Sequence, residues 1–260
     1  MTYKETEALS YSGAKQILKS PAHFKAWLTA EQKDTPALKM GRLIHLSALQ
    51  QEEFQRVVHV QPDLDRRTKD GKAAYEAFKA DLPADAEIVD ADDMATIQGV
   101  TASVQAAFLH LEIDKSLYEA EKPIFGVYNG VNIKGRLDLI TKIRGCEAPY
   151  IIDVKSCEDA SPAAFARDIA NYGYHVQQAF YSTLAETGRN YLIVAVEKKP
   201  PFAWRIYSLS EETIKAGQEL MDIAVNTYKM SNAFGNWRGY NPDATEISIP
   251  KWALNPDVIS

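Results

Sequence analysis

The sequence predicts an α/β fold: a central mixed β-sheet flanked by helices, with a helical region at the N-terminus. Three observations carry that prediction. The first fifty residues have helical patterning, Asn129-Gly130 joins two strand-like runs, and helices and further strands alternate after the third strand. The 260 residues are long for one compact domain and short for two independent ones. No repeat, low-complexity tract or Gly/Ser linker divides them. One domain over 1–260 is therefore expected, with a helical part over 1–52, a core over 117–210 and an irregular tail over 232–260.

Each element has a local reason. Ser10 or Ser12 can cap a first helix, AKQILK, which Ser20-Pro21 stops. AHFKAWLTAE reads as a second helix, and Ala37 to Leu49 as a third. FQRVVHV (54–60) looks like a strand, and QPDLDRRTKDGK a polar, basic loop. Asp90 is placed to cap a long helix running to residue 111. KPIFGVY and VNIKGRLDLITK flank Asn129-Gly130, a type I′ hairpin signal because both turn positions need φ > 0. RGCEAP then turns the chain into a third strand, YIIDVKS. Pro162 suits a first helical position, and YGYHVQQAFYSTLAET continues as helix. Strands YLIVAVE and AWRIYSL, and a helix from 211 to about 230, complete the pattern.

Composition excludes several classes. Hydrophobic residues at 46% and aromatics at 10% suffice for a core, so the chain is neither disordered nor collagen-like. No apolar run approaches the ~18 residues needed to span a bilayer, and MTYKETEALS lacks the apolar stretch of a signal peptide. Cys146 and Cys157 are too few for a disulfide framework or a four-thiolate metal site. A reduced, cytoplasmic setting and no membrane are expected. The net charge of −6 opposes indiscriminate binding to polyanions but leaves room for a local basic groove.

Charged groups interrupt the strands that should be most apolar. RLDLI contains Asp138, and YIIDVK contains Asp153 and Lys155. Asp153 and Lys155 share a strand face, and Asp138 on the preceding strand can lie across from Asp153. Adjacent carboxylates repel and both stay ionised only around a cation. Mg²⁺ suits such oxygen donors, and the lysine can then activate water or stabilise transition-state charge. The plainer alternative is an Asp–Lys ion pair at a strand edge. In the helix holding Gly41-Arg-Leu-Ile-His45, residues i and i+4 share a face. Gly41 would clear space for close backbone approach beside His45, a candidate imidazole ligand that would make Mn²⁺ acceptable too. Gln177 and Tyr181 are also i, i+4, suited to positioning water and bonding a phosphate, with ordinary helix-surface roles as the alternative. Val176, Phe180 and Leu184 form the neighbouring apolar stripe.

These residues resemble the PD-(D/E)xK nuclease superfamily. In the family's order run Gly41…His45, Glu121, Gly135-Arg-Leu-Asp138, Asp153-Val-Lys155 and Gln177-Gln-Ala-Phe-Tyr181, the pattern of the RecB-like branch. YHVQQAFY after IIDVKS most resembles the RecE-type exonuclease, exonuclease VIII, of phages and prophages. The resemblance implies metal ligands at His45, Glu121, Asp138 and Asp153, with the Val154 carbonyl facing the cation. Glu121, read as lying at a strand start, is preferred to Glu119 on the same ground. Implied catalytic residues are Asp138, Asp153, Lys155, Gln177, Tyr181 and Glu121. No iron–sulphur cluster is expected, because Ser20-Pro21 stands where some relatives carry a cysteine. The implied activity is Mg²⁺-dependent 5′→3′ digestion of linear double-stranded DNA, leaving 3′ overhangs for recombination. A RecT-like single-strand annealing protein is the implied partner, in a bacterial cytoplasm. A single-strand exonuclease or endonuclease with the same site, or an inactive DNA-binding module, is the alternative.

Arg66, Arg67, Lys69 and Lys72 are candidate DNA-binding residues, since long cations release counterions from phosphates; a solvated loop explains them equally. Lys15, Lys19 and Lys25 could reach a duplex end or a 5′-phosphate. Trp237, Arg238 and Tyr240 could stack on an unpaired base or pack as a tail. An acidic chain that digests processively needs some means of staying bound; RecE-like exonucleases do so as closed rings, so the resemblance implies a homo-oligomeric ring of three or four subunits. Phe234, Trp237, Tyr240 and Trp252 are candidate interface residues.

Overall fold

The computed structural model of the protein describes residues 3, 5–31, 34–188 and 190–250. The Ser10 hydroxyl accepts from the Gly13 N–H at 3.2 Å and starts helix α1, Tyr11–Lys19, making Ser10 rather than Ser12 the cap. Ser20 ends α1 and caps α2, Pro21–Thr29, whose first position is a proline that needs no N–H partner. Thr35 and Pro36 begin α3, Pro36–Leu49, in the same way.

The next stretch departs from expectation. Residues 51–57 form a helix, α4 (Gln51–Val57), and only Val58–Val60 remain as strand β2. Glu52 and Glu53 in the first turn and Arg56 in the last complement the helix dipole, and Arg56 pairs with Glu53 at 2.5 Å. Local electrostatics outweigh the strand preference of Val57. The expected basic loop is partly helical as well. Thr68 caps α5, Lys69–Ala80, so Lys69 and Lys72 lie on a helix. Strand β3, Glu87–Val89, returns to pair in parallel with β2. Asp90 then caps α6, Ala91–His110, as predicted.

The main sheet is built on a long hairpin. Strands β4 (Ile113–Tyr128) and β5 (Val131–Ile143) pair antiparallel around Asn129-Gly130, whose φ values are 49° and 77°. Strand β6, Tyr150–Cys157, pairs antiparallel with β5 and parallel with β7, Tyr191–Glu197. Helices α7 (Pro162–Tyr172) and α8 (Tyr174–Ala185) make the crossover between β6 and β7. Strand β8, Trp204–Tyr207, closes one edge and helix α9 spans Glu211–Phe234. A short strand β1, Leu9–Ser10, which the sequence did not signal, pairs with β5, so the order is β1-β5-β6-β7-β8 with β4 also on β5.

Two apolar cores lie on the two faces of the sheet. Leu137, Ile151 and Ile193 pack with Ile17, Phe180 and Val225 of α1, α8 and α9. Leu139, Ile152 and Val194 pack with Leu43 of α3 and Ile97 and Val104 of α6. Leu137 and Leu139 would share a face in a regular strand, yet they enter opposite cores. Asp138 sits at that reversal. There β5 changes partners, from β1 at Ile133–Lys134 to β6 at Leu139–Thr141, and a notch opens between β1 and β6.

Helix α9 runs past residue 232 to Phe234, and the chain after it is irregular through the described residues. Trp237 stacks on Phe24 with centroids 5.6 Å apart and carries Lys25 over its ring at 4.5 Å. Packing is therefore its role in this structure, rather than presentation to a base. Trp252 lies outside the described residues.

Candidate metal centre

The notch leaves backbone groups that the ladder does not pair, and side chains take them up. The Val154 N–H donates to Asp138 Oδ2 at 2.9 Å. The Val154 carbonyl accepts from His45 Nε2 at 2.9 Å. A carbonyl cannot donate, so Nε2 carries the hydrogen and Nδ1 faces outward. It points at two carboxylates, 3.6 Å from Glu121 Oε1 and 3.7 Å from Asp138 Oδ1. One ligand atom from each of His45, Glu121 and Asp138 lies within 4.8 Å of the others.

Helices from opposite faces converge here. Helix α3 brings His45 over one side, and α8 brings Gln177 and Tyr181 under the other. Gln177 donates to Asp153 Oδ1 at 2.9 Å, and Lys155 Nζ lies 2.5 Å from Asp153 Oδ2. Tyr181 is 9% exposed, with its ring edge where a β-carbon on Gly135 would stand, 2.9 Å away. Close approach therefore explains Gly135. It does not explain Gly41, whose β-carbon position meets nothing within 4 Å, contrary to the expectation for that helix. Glu121 is mid-strand in β4 rather than at a strand start, with φ 50°, and faces the cluster; Glu119 turns away to Lys122 at 2.9 Å.

The structure thus brings His45, Glu121, Asp138, Val154, Asp153, Lys155, Gln177 and Tyr181 to one place. It divides them into a cluster of His45, Glu121 and Asp138 and an adjoining ion pair of Asp153 and Lys155. Sequence reasoning missed Arg136, whose Nε is 2.9 Å from Glu121 Oε2. Strand alternation gave the signal, since Arg136 is two residues before Asp138. It also missed Tyr174, over whose ring Lys155 Nζ lies at 5.0 Å. A cleft of about 360 Å³ opens in front, lined by Arg42, His45, Glu87, Glu121 and Arg136. Arg66 lies over Tyr75 at 4.6 Å, and Arg67 is 3.0 Å from Asp65. With Lys69 and Lys72 they sit on the excursion between β2 and β3, rooted at this cleft through the Arg42–Glu87 pair at 2.6 Å.

Electrostatics match a cation-binding role. Burial pushes the Asp153 carboxyl up to about 6, although Lys155 pulls the other way. For Lys155, burial opposes charge, and Asp153, Asp138 and Glu121 more than offset it, so its pKa rises. Burial likewise drives the Tyr181 hydroxyl well up, reinforced by Asp138 and Asp153, so it remains a hydrogen donor. At His45, burial disfavours the proton but Asp138 and Glu121 prevail, raising the imidazole to about 9.

The donor set fits a divalent cation: two carboxylates and an imidazole nitrogen aimed at one point, with the other ring nitrogen fixed by a backbone carbonyl. A cation and a proton on Nδ1 are mutually exclusive, so metal binding at pH 7.5 should release about one proton. Calorimetry with Mn²⁺ in buffers of different ionisation enthalpy checks this, and His45→Asn should abolish the release. In the metal-free protein the raised His45 pKa stabilises the fold fully below about 6.5, and that contribution fades as pH rises through about 9.

A family model described as "PDDEXK-like domain of unknown function (DUF3799)" matches residues 10–240. No curated protein matches the chain. Among solved structures, one from Eubacterium rectale described as a "Putative exonuclease" aligns with TM-score 0.58 and 15% identity, covering 96% of this chain and 93% of that one. The structure of SSO0001 aligns at TM-score 0.31 and 13% identity, over 85% of this chain and 86% of that one.

Proposed function

Because the chain belongs to this PDDEXK-like family, we infer that it is a divalent-metal-dependent DNA nuclease. The observation that carries the reading is the convergence of His45, Glu121 and Asp138 on one point beside the buried Asp153–Lys155 pair. When bound, a cation there supplies positive charge to the phosphodiester's developing negative charge and acidifies water. The chain's own groups do the rest. Lys155 holds a proton and positive charge beside the reacting phosphate. Gln177 fixes Asp153, and Arg136 turns a guanidinium towards the cleft, where a phosphate oxygen can accept from it.

The finer reading is an exonuclease of RecE type. It works 5′→3′ on linear duplex and leaves 3′ single strands for recombination with a RecT-like annealing protein. The ordered motifs from Gly41 to Tyr181 support it. Mg²⁺ is its natural cation, with Mn²⁺ as substitute, and the cytoplasm of a bacterial or phage-infected cell its setting. Arg66, Arg67, Lys69 and Lys72 then hold DNA at the cleft, within a ring of three or four subunits. Phe234 and Tyr240, each 73% exposed, offer surface for such contacts.

End-labelled linear duplex and closed circular duplex, each with Mg²⁺, Mn²⁺ or chelator, test both levels. Cleavage of the linear form alone, lost with chelator, is the expected result. Cutting of circles would replace the exonuclease by an endonuclease, and no cleavage of any DNA would remove the nuclease reading.

A further inference from the structure

Next to Lys155 lies an aromatic step that the chemistry above does not use. Tyr172 ends α7 and Tyr174 begins α8. On a continuous helix, residues i and i+2 point apart. Gly173 between them has φ 75°, a left-handed conformation that breaks the helix and lets the two rings stack, with centroids 5.6 Å apart at 28°. The Tyr11 hydroxyl of α1 donates to the Tyr172 carbonyl and fixes the break. Lys15 lies over the Tyr11 ring at 5.6 Å and adds a cation beside the step.

The step leads outward from the site. Its inner ring, Tyr174, is 5.0 Å from Lys155 Nζ, and its outer ring, Tyr172, is 51% exposed. We propose that Tyr172 is a stacking platform for an unpaired nucleobase of the strand whose phosphate lies at Lys155. This rests on the nuclease reading and adds a base-binding subsite to it. Stacking suits an enzyme that must accept any sequence, because every base has a π-face. A base inside a duplex has both faces covered, so only an unpaired or terminal base can use the ring. The subsite therefore selects a strand end or a strand already opened at the point of cleavage.

The test uses the full-length chain with Ca²⁺ and short single-stranded oligonucleotides that carry 2-aminopurine at successive positions. Wild type should quench the fluorophore at one or a few positions. Tyr172→Ala should abolish that quenching and weaken binding by roughly 5- to 150-fold, the range for loss of one base–aromatic stack. Tyr172→Phe should retain both. Placing an abasic nucleotide at the quenched position should bring wild type down to the alanine variant. Unchanged quenching in Tyr172→Ala overturns the platform, as does an alanine defect that persists in full on the abasic oligonucleotide. Wild-type cleavage with Mg²⁺ or Mn²⁺ is scored separately. A failed platform with cleavage intact leaves the nuclease reading standing, and absent cleavage removes that reading whatever the fluorescence shows.

Discussion

Asp138→Asn is expected to abolish both DNA cleavage and Mn²⁺ binding while leaving the metal-free protein at least as stable as wild type. Asp138 is 8% exposed and its carboxylate accepts from the Val154 N–H, a bond that the asparagine carbonyl oxygen can keep. What disappears is a negative charge close to two other carboxylates. Relief of that repulsion offsets the lost attraction to His45 and Lys155, so the fold should not suffer. The chemistry should, because a cation at a developing phosphate charge is worth several kcal/mol, or at least about 10²-fold in rate. Calorimetry with Mn²⁺, single-turnover cleavage and a melt in chelator read the three effects apart. A variant that cleaves near the wild-type rate in Mg²⁺ would place the reaction elsewhere. Asp153→Asn should also stop cleavage, but it strands Lys155 and is the less clean test.

Lys155→Ala is expected to lose activity and stability together, for separate reasons. The ammonium lies 2.5 Å from a carboxylate that is fully buried. Removing one member of a buried pair typically costs about 3–5 kcal/mol, because the other charge is left uncompensated. A group that stabilises charge or moves protons contributes ~10² to 10⁴-fold in rate. The two losses part company with pH. Asp153 is already raised to about 6 in the folded chain, above its unfolded value, so the fold binds that proton more tightly. Its ionisation therefore erodes stability as pH rises through about 6, and more steeply once Lys155 is gone. Urea unfolding at pH 5 and pH 7.5 should show a small penalty at the lower value and most of it at the higher. An equal penalty at both would mean that Asp153 is not the group left uncompensated. Mn²⁺ affinity should survive, and its loss in parallel with rate would reduce Lys155 to a structural partner.

Much of this site was legible in the sequence because strand and helix periods dictate which side chains share a face. Asp153 and Lys155 follow from a strand period of two, Gln177 and Tyr181 from the i, i+4 spacing of a helix, and the hairpin from Asn129-Gly130. The division of labour was not legible. That Asp153 pairs with Lys155 while Asp138 joins His45 and Glu121 depends on where β6 leaves β5, and alternation alone would put Leu137 and Leu139 in one core. Glu121 could not be placed on a strand whose backbone reverses handedness at that residue. Residues 54–57 misled for the opposite reason, since strand preference is weak beside well-placed helix charges. Gly41 and Gly135 show the same limit. Both sit in motif-like positions, yet only one has a neighbour close enough to require glycine.

The left-handed backbone at Glu121 also has a consequence for anyone who would improve this protein. Most side chains with a β-carbon cost of order 1 kcal/mol or more in that conformation, whereas asparagine tolerates it better and glycine costs little. Any search for thermostability, by selection or by design, will thus be drawn to glycine or asparagine at position 121. Either exchange relaxes the strand and discards a carboxylate of the cluster in the same step. On the nuclease reading, robustness and function are opposed at this single residue.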